Sequence, residues 1–247
     1  MQVLPYLIAD GPANMAIDEA MLEASAREDR CYLRFYGWSE PTLSLGYFQR
    51  MAEVESEPRW RGRAIVRRPT GGGAIWHHHE LTYAITAPSS LAHVRPNTSM
   101  YRAVHAAMAS VLAVQGVEAR RRGEPTEPIP PTLAARPLLC FRGRDPEDLV
   151  WNGHKVVGSA QRRREGALLQ HGSILLGRSP DVPELPGLRD LSGPDRSPET
   201  WADAIAPAIA EILGLVPEPS QWPTGLRNRA EELERSRYRD PAWTASR

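Results

Sequence analysis

The chain has 247 residues with 30 basic and 30 acidic side chains, so its zero net charge gives no general attraction to nucleic acid. No stretch approaches the roughly 18–20 apolar residues that span a bilayer, and Met1-Gln2-Val3-Leu4-Pro5-Tyr6 lacks the charged and apolar regions of a signal peptide. Cys31 and Cys140 make no disulfide framework and no CxxC spacing suggests zinc, so a cytoplasmic protein with reduced thiols is expected.

Residues 15–27 read as a helix, with Asn14 as N-cap and Asp18 and Glu19 in its early turns. Two strands follow at 32–38 and 42–48, separated by a turn at Ser39-Glu40-Pro41, with Cys31 read as a small buried residue. A short strand at 64–68 runs into a glycine loop. Residues 74–86 return as one strand, on which His77, His79, Leu81 and Tyr83 share a face by the period of two.

The best amphipathic helix covers 98–115, with Thr98 as cap and Gly116 at its end. Residues 125–137 are proline-rich and aperiodic, hence a loop. A hairpin at 149–161 turns on Asn152-Gly153, the dipeptide a tight I′ turn favours, and a strand follows at 167–176. Ser197-Pro198 opens a helix that runs towards Gly214 with a kink expected at Pro207, and a charged helix at 226–237 precedes a polar tail. Strands in hairpins between helices predict an α+β or mixed α/β sheet. One domain over 1–247 is expected, its core about 1–215 with a short C-terminal helical tail.

Three clusters could carry chemistry. In Arg67-Arg68-Pro69-Thr70-Gly71-Gly72-Gly73-Ala74, three glycines let backbone approach a ligand and offer free N–H groups, and Arg67, Arg68 and His77 flank them. A plain glycine-rich turn is the competing reading, and a phosphate-binding P-loop is excluded because no lysine follows. Adjacent histidines of 77–79 point to opposite faces of a strand, so the three cannot share one metal, and no further ligand spacing completes a site. The basic runs 120–122 and 162–164 read as solvated faces.

The third cluster starts from composition. Lys155 is the only lysine against 29 arginines, and it follows Cys140 by fifteen residues. An amine supplies what arginine cannot, a compact charge whose proton can move. A nearby ammonium favours the thiolate that attacks an acyl group. From these residues alone an inert buried cysteine stays open as well.

In order along the chain, Asn14-Met15-Ala16-Ile17-Asp18-Glu19-Ala20, Arg34-Phe35-Tyr36-Gly37-Trp38 and Arg67-Arg68-Pro69-Thr70-Gly71-Gly72-Gly73 with His77 form one set of motifs. Lys155-Val156-Val157-Gly158-Ser159-Ala160-Gln161 and Leu169-Gln170-His171-Gly172-Ser173 complete it. Together they resemble the lipoate–protein ligase and octanoyltransferase family, whose catalytic fold biotin–protein ligases share. Cys140-Phe141 with its step to Lys155 is similar to the cysteine-dependent octanoyltransferase branch, although Gly73 stands where that branch often carries arginine.

The resemblance implies a central mixed, mostly antiparallel sheet flanked by helices. It also implies that Cys140 takes an octanoyl group from acyl carrier protein as a thioester and passes it to a lysine of a lipoyl-accepting protein, such as the glycine cleavage H protein. Lys155 would favour the thiolate and orient the acyl carbonyl. Arg68, Gly71, Gly72, Gly73, His77, Gly158, Ser159, Ala160, His171 and Gly172 would line the acyl site and supply N–H donors. No cofactor, metal, nucleic acid or membrane is expected. Three alternatives accompany this reading: an ATP-dependent lipoate–protein ligase, an amidotransferase moving lipoyl or octanoyl groups, and a non-catalytic acyl- or lipoyl-binding module.

Overall fold

Among the described residues the strands form two β-sheets. The computed structural model describes residues 1–94, 100–123, 138–143, 145–164 and 166–246, so the loop expected at 125–137 and the cap at Thr98 lie outside the described residues. The strands are β1 (Gln2–Val3), β2 (Leu7–Ala9), β3 (Tyr32–Trp38), β4 (Thr42–Leu45), β5 (Ala64–Arg67), β6 (Ile75–His77), β7 (Glu80–Pro88), β8 (Arg120–Arg121), β9 (Leu149–Trp151), β10 (His154–Arg164), β11 (Ala167–Leu175) and β12 (Glu218–Pro219). The helices are α1 (Gly11–Glu28), α2 (Met51–Glu55), α3 (Met100–Val114), α4 (Pro198–Ile212), α5 (Thr224–Leu233) and α6 (Pro241–Thr244).

The large sheet runs β12-β1-β3-β7-β11-β10-β9-β8, with β2 also on β3, and the small sheet runs β5-β4-β6. The long ladders β3–β7, β7–β11 and β10–β11 are antiparallel, whereas β1, β2 and β12 add short parallel pairings. The architecture is the expected α+β fold with a mixed, mostly antiparallel sheet.

Period-two alternation gives the large sheet two chemically different faces. On one, Leu33, Phe35, Leu81, Tyr83, Ile85 and Ile174 pack with Val104, Met108 and Leu112 of α3 and Trp201, Ile205 and Ile209 of α4. On the other, Tyr32, Tyr36, Ala84 and Leu169 meet Met15, Met21 and Leu22 of α1, together with Leu226 and Leu233 of α5. Covered on both sides, β7 and β11 are buried at every position.

Several sequence signals hold. Asn152 and Gly153 both have positive φ, as a I′ turn requires, and Gly116 ends α3 in the left-handed region. Ser197 caps α4 by accepting from Thr200 N. Cys31 is buried.

Others need correction. The N-cap of α1 is Asp10, which accepts from Ala13 N at 3.0 Å, with Pro12 in the first turn. Asn14 is buried instead, and its amide donates to Ala9 O and Gly37 O, tying α1 to β2 and β3. Strands β3 and β4 do not form a hairpin: the chain crosses from the large sheet to the small one between them. The strand expected at 74–86 is broken at His78-His79 for the same reason, with β6 in the small sheet and β7 in the large one. His79 is exposed and shares no continuous face with His77, Leu81 and Tyr83.

Candidate active site

Lys155 comes to the site through an irregularity in β10. Lys155 pairs with Val150 and Val157 with Leu149, so the ladder slips by one residue between them. A bulge of this kind re-aims side chains. Under strict alternation residues 155 and 158 would point to opposite faces. The slip puts them together, and a Cβ built on Gly158 would stand 2.4 Å from Lys155 Cε and 2.7 Å from Nζ. Gly158 is thus the floor on which the lysine lies. Gly158→Ala would push the ammonium off this point and should lower turnover by about 100-fold, the scale of a roughly 1 Å misplacement. Stability should change by no more than about 1 kcal/mol, because the mobile end of the lysine can move aside. Steady-state rates and a melting curve on the same preparation check this, and unchanged turnover would show that the lysine has room to spare.

The ammonium has three donors and three partners. Nζ lies 3.2 Å from Cys140 O, 3.6 Å from Cys140 Sγ and 2.8 Å from Asp148 Oδ1, with the Phe141 ring 5.1 Å away. Asp148 is itself held, since Oδ2 accepts from Asp145 N at 2.9 Å. Burial pulls the Lys155 ammonium down, but the negative charges offered by Cys140 and Asp148 outweigh it and hold the pKa above its ordinary value. The lysine is therefore a cation in contact with a half-buried thiol.

The thiol is carried by a short 3₁₀ turn, Cys140–Arg142, laid directly on the glycine loop. Ala74 N donates to Leu138 O and Cys140 N to Ala74 O, each at 2.7 Å. Gln49 Nε2 also donates to Leu138 O. The approach is close because residue 73 has no side chain: a Cβ there would meet Cys140 N and Leu138 O at 3.0 Å.

Arg68 shapes the loop from inside. Its buried guanidinium donates to Ser44 O at 2.9 Å, to Gly71 O and Gly73 O at 2.7 Å each, and to Thr70 Oγ1 at 3.1 Å. Burial brings its pKa down to about 10, against the pull of Cys140 and Tyr36, so it stays charged at neutral pH. The loop carbonyls that it collects face inward, and a second positive charge is placed near the thiol.

Behind Thr70 runs a buried chain. Thr70 Oγ1 meets His171 Nε2 at 2.6 Å, His171 Nδ1 meets Asp18 Oδ2 at 2.7 Å, and Asp18 pairs with Arg34 at 2.6 Å. Burial pushes the His171 imidazole down, although Asp18 opposes this, so the neutral ring donates through Nδ1 and accepts at Nε2.

The structure therefore brings Cys140, Lys155, Gly73 and Gly158 together. Arg68 and His171 sit behind the glycine loop, and Gly72 lies against the Arg68 guanidinium. Gly71 lies beneath the exposed ring of Phe48. His77 is buried and locked by Ser44, Glu80 and the stacked ring of Trp38. Ala160 pairs with His171 on the α1 face of β10 and β11, whereas Ser159 and Gly172 are on the α3 face. The Ser159 N–H is taken by Tyr101 OH at 3.0 Å, so it is not a free donor. Sequence reasoning missed Asp148, Gln49 and the Asp18–Arg34 anchor. Asp148 stands among acidic residues of a loop, where only its place between Cys140 and Lys155 could have singled it out.

Among the described residues no helix is long and apolar enough to cross a membrane. Comparison with known proteins gives a concordant result. A curated octanoyltransferase LipM from Kyrpidia tusciae is 36% identical over 93% of this chain and 93% of its own length. Another, from Symbiobacterium thermophilum, is 37% identical over 94% and 93%. In fold, the chain superimposes on a bi-partite lipoate protein ligase from Thermoplasma acidophilum with a TM-score of 0.75 at 22% identity, covering 99% of this chain and 95% of that one. Residues 10–183 match the lipoyl protein ligase A/B catalytic domain, and the chain belongs to that family.

Proposed function

We propose that this chain is an octanoyltransferase that carries the acyl group on Cys140 and draws on no ATP. The observation that carries this reading is the contact of a buried ammonium with a half-buried thiol, at 3.6 Å, on a glycine loop cleared for it. The names of the curated relatives support the same substrate class.

In the first half-reaction the Cys140 thiolate attacks the carbonyl of octanoyl acyl carrier protein. A C–S bond forms to Cys140, the C–S bond to the carrier breaks, and the carrier sulfur leaves as a thiolate that takes up the proton Cys140 lost on ionising. Lys155 Nζ, already beside Sγ, is the donor placed to meet the oxyanion of the tetrahedral intermediate. In the second half-reaction an acceptor lysine amine attacks the thioester. A C–N bond forms, the C–S bond to Cys140 breaks, and the proton given up by the amine goes to the departing Cys140 sulfur. Exchange between thioesters is close to neutral and amide formation from a thioester runs downhill, so no adenylate is required.

The acceptor is a lipoyl-domain protein, such as the glycine cleavage H protein, and the reaction takes place in the cytoplasm. The C-terminal segment belongs to the same catalytic unit. Arg67, beside the glycine loop, donates to Thr244 O at 2.7 Å, and Trp243 Nε1 donates to Arg67 O at 3.0 Å.

The test is intact-protein mass after incubation with octanoyl carrier protein without ATP, followed by peptide mapping. One octanoyl group on the Cys140 peptide, discharged on addition of an acceptor domain, is expected. No adduct without ATP, together with acceptor modification by lipoate plus ATP, would mean a ligase.

A further inference from the structure

Helix α3 carries a histidine that the chemistry above does not use. His105 is fully buried, with Nδ1 2.6 Å from Glu147 O and Nε2 2.7 Å from Ser159 Oγ. A carbonyl oxygen only accepts, so Nδ1 carries the hydrogen and Nε2 the lone pair. Burial, reinforced by the Lys155 charge and only partly offset by the bond to Glu147 O, pushes this imidazole down to about 4. Burial thus keeps the ring neutral at physiological pH, and a neutral ring with its hydrogen on Nδ1 accepts at Nε2.

The remaining bonds then have fixed directions. Ser159 spends its hydroxyl hydrogen on His105, so Tyr83 OH donates to Ser159 Oγ at 2.6 Å. Gln170 Nε2 donates to Tyr83 OH at 2.8 Å, and Gln161 Nε2 to Gln170 Oε1 at 2.7 Å. Each donor points along one line that ends on the Glu147 carbonyl. Gly172 lies between Ser159 and Tyr83 in the ladder, and a Cβ there would stand 2.3 Å from Ser159 Oγ. The line is continuous because residue 172 is glycine.

Glu147 is joined directly to Asp148, the ion-pair partner of Lys155. We propose that His105 is a positioning residue: by gripping the Glu147 carbonyl it fixes Asp148 against Lys155, and so sets the ammonium at the Cys140 thiol. This rests on the reading of Cys140 and Lys155 as the acyl-transfer pair. A histidine that only fills the core makes no demand on which ring nitrogen is kept. The proposal demands the hydrogen on Nδ1.

Asparagine and glutamine separate the two cases. Asn places its amide nitrogen near the position of Nδ1 and can keep the bond to Glu147 O, whereas the amide of Gln reaches towards the Nε2 position. The full chain is prepared as wild type, His105→Asn, His105→Gln and Asp148→Asn. Each is measured for single-turnover acylation by octanoyl carrier protein, for Cys140 alkylation by iodoacetamide at neutral pH, and for melting temperature.

His105→Asn is expected within about threefold of wild type in both rates, while His105→Gln and Asp148→Asn lose at least about tenfold in acylation at unchanged KM for the carrier. Alkylation, which needs no acyl donor, should slow in the same order. Equal rates for Asn and Gln, or a lowered melting temperature with wild-type rates, overturn the proposal. If wild type accepts no octanoyl group, the acyl-transfer reading falls, and alkylation alone then decides the role of His105 by the same comparison.

Discussion

Cys140→Ala will abolish both the octanoyl adduct and acceptor modification, and Lys155→Arg will lower acceptor modification by about 1000-fold although the charge is kept. The cysteine result follows from the bond that must form: alanine offers no sulfur to carry the acyl group. The arginine result follows from shape. Lys155 is packed on Gly158 with Nζ touching Cys140 O, Cys140 Sγ and Asp148 Oδ1 at once. A planar guanidinium is larger, points its donors in a fixed fork and cannot occupy that point. Loss of one oriented donor to an oxyanion costs about 3–4 kcal/mol, which is the scale of the predicted drop. The measurement is single-turnover transfer to an acceptor domain, with the acylation and deacylation steps followed separately by mass. Turnover in Lys155→Arg within tenfold of wild type would mean that charge alone suffices. A compact point donor would then not be what the reaction needs.

How far the sequence foretold this site depends on which physical signal each residue leaves. Hairpin β9–β10 was readable because Asn152-Gly153 has few alternatives to a I′ turn. Cys140 and Lys155 stood out through composition and family pattern. The bulge that brings Lys155 over Gly158 leaves no mark in the sequence, since Val156 and Val157 on its two sides are the same residue and both are fully buried. The two-sheet partition was hidden for a related reason. A turn between β3 and β4 looks like a hairpin locally, and only long-range pairing shows that β4 joins β5 and β6 instead. Asp148 was invisible because its role comes from a partner seven residues later reaching back across a bulge. Polar residues with distant partners are the class that periodicity cannot rank. Arg34 and Asp18 belong to the same class: the family motifs hold both and Asp18 also suits an early helix turn, but neither signal pairs them.

Those two residues carry the largest expected effect on stability. Arg34→Met should destabilise the fold by about 3–5 kcal/mol, because it strands a buried carboxylate. Arg34 Nε and Nη2 both donate to Asp18 Oδ1, at 3.0 and 2.6 Å, Nη2 also donates to Asn14 O, and the guanidinium stacks on Tyr36 at 3.8 Å. Asp18 Oδ2 accepts from Tyr36 OH and His171 Nδ1, and neither Asp18 nor Arg34 has any exposed surface. For a chain of this size the loss corresponds to a fall in Tm of roughly 10 °C.

The pH dependence distinguishes a charged anchor from lost packing. Burial raises the Asp18 carboxyl, but Arg34 and His171 outweigh it and hold the pKa below the usual carboxylate range. In the wild type the unfolded chain therefore takes up the Asp18 proton first as pH falls. The contribution of Asp18 is full above its unfolded value of about 3.9 and is lost as pH falls through the lower folded value. Without Arg34 burial dominates, the folded pKa rises above the unfolded one, and the sign reverses: the variant loses stability as pH rises through the carboxylate range. The deficit of Arg34→Met relative to wild type should therefore be large at neutral pH and shrink steadily towards pH ~3, in denaturant melts run at each pH. A deficit of constant size across that range would assign the whole loss to packing of the arginine stem. Asp18 would then not be the ionised anchor that aims His171 at Thr70 and, through it, Arg68 at the glycine loop.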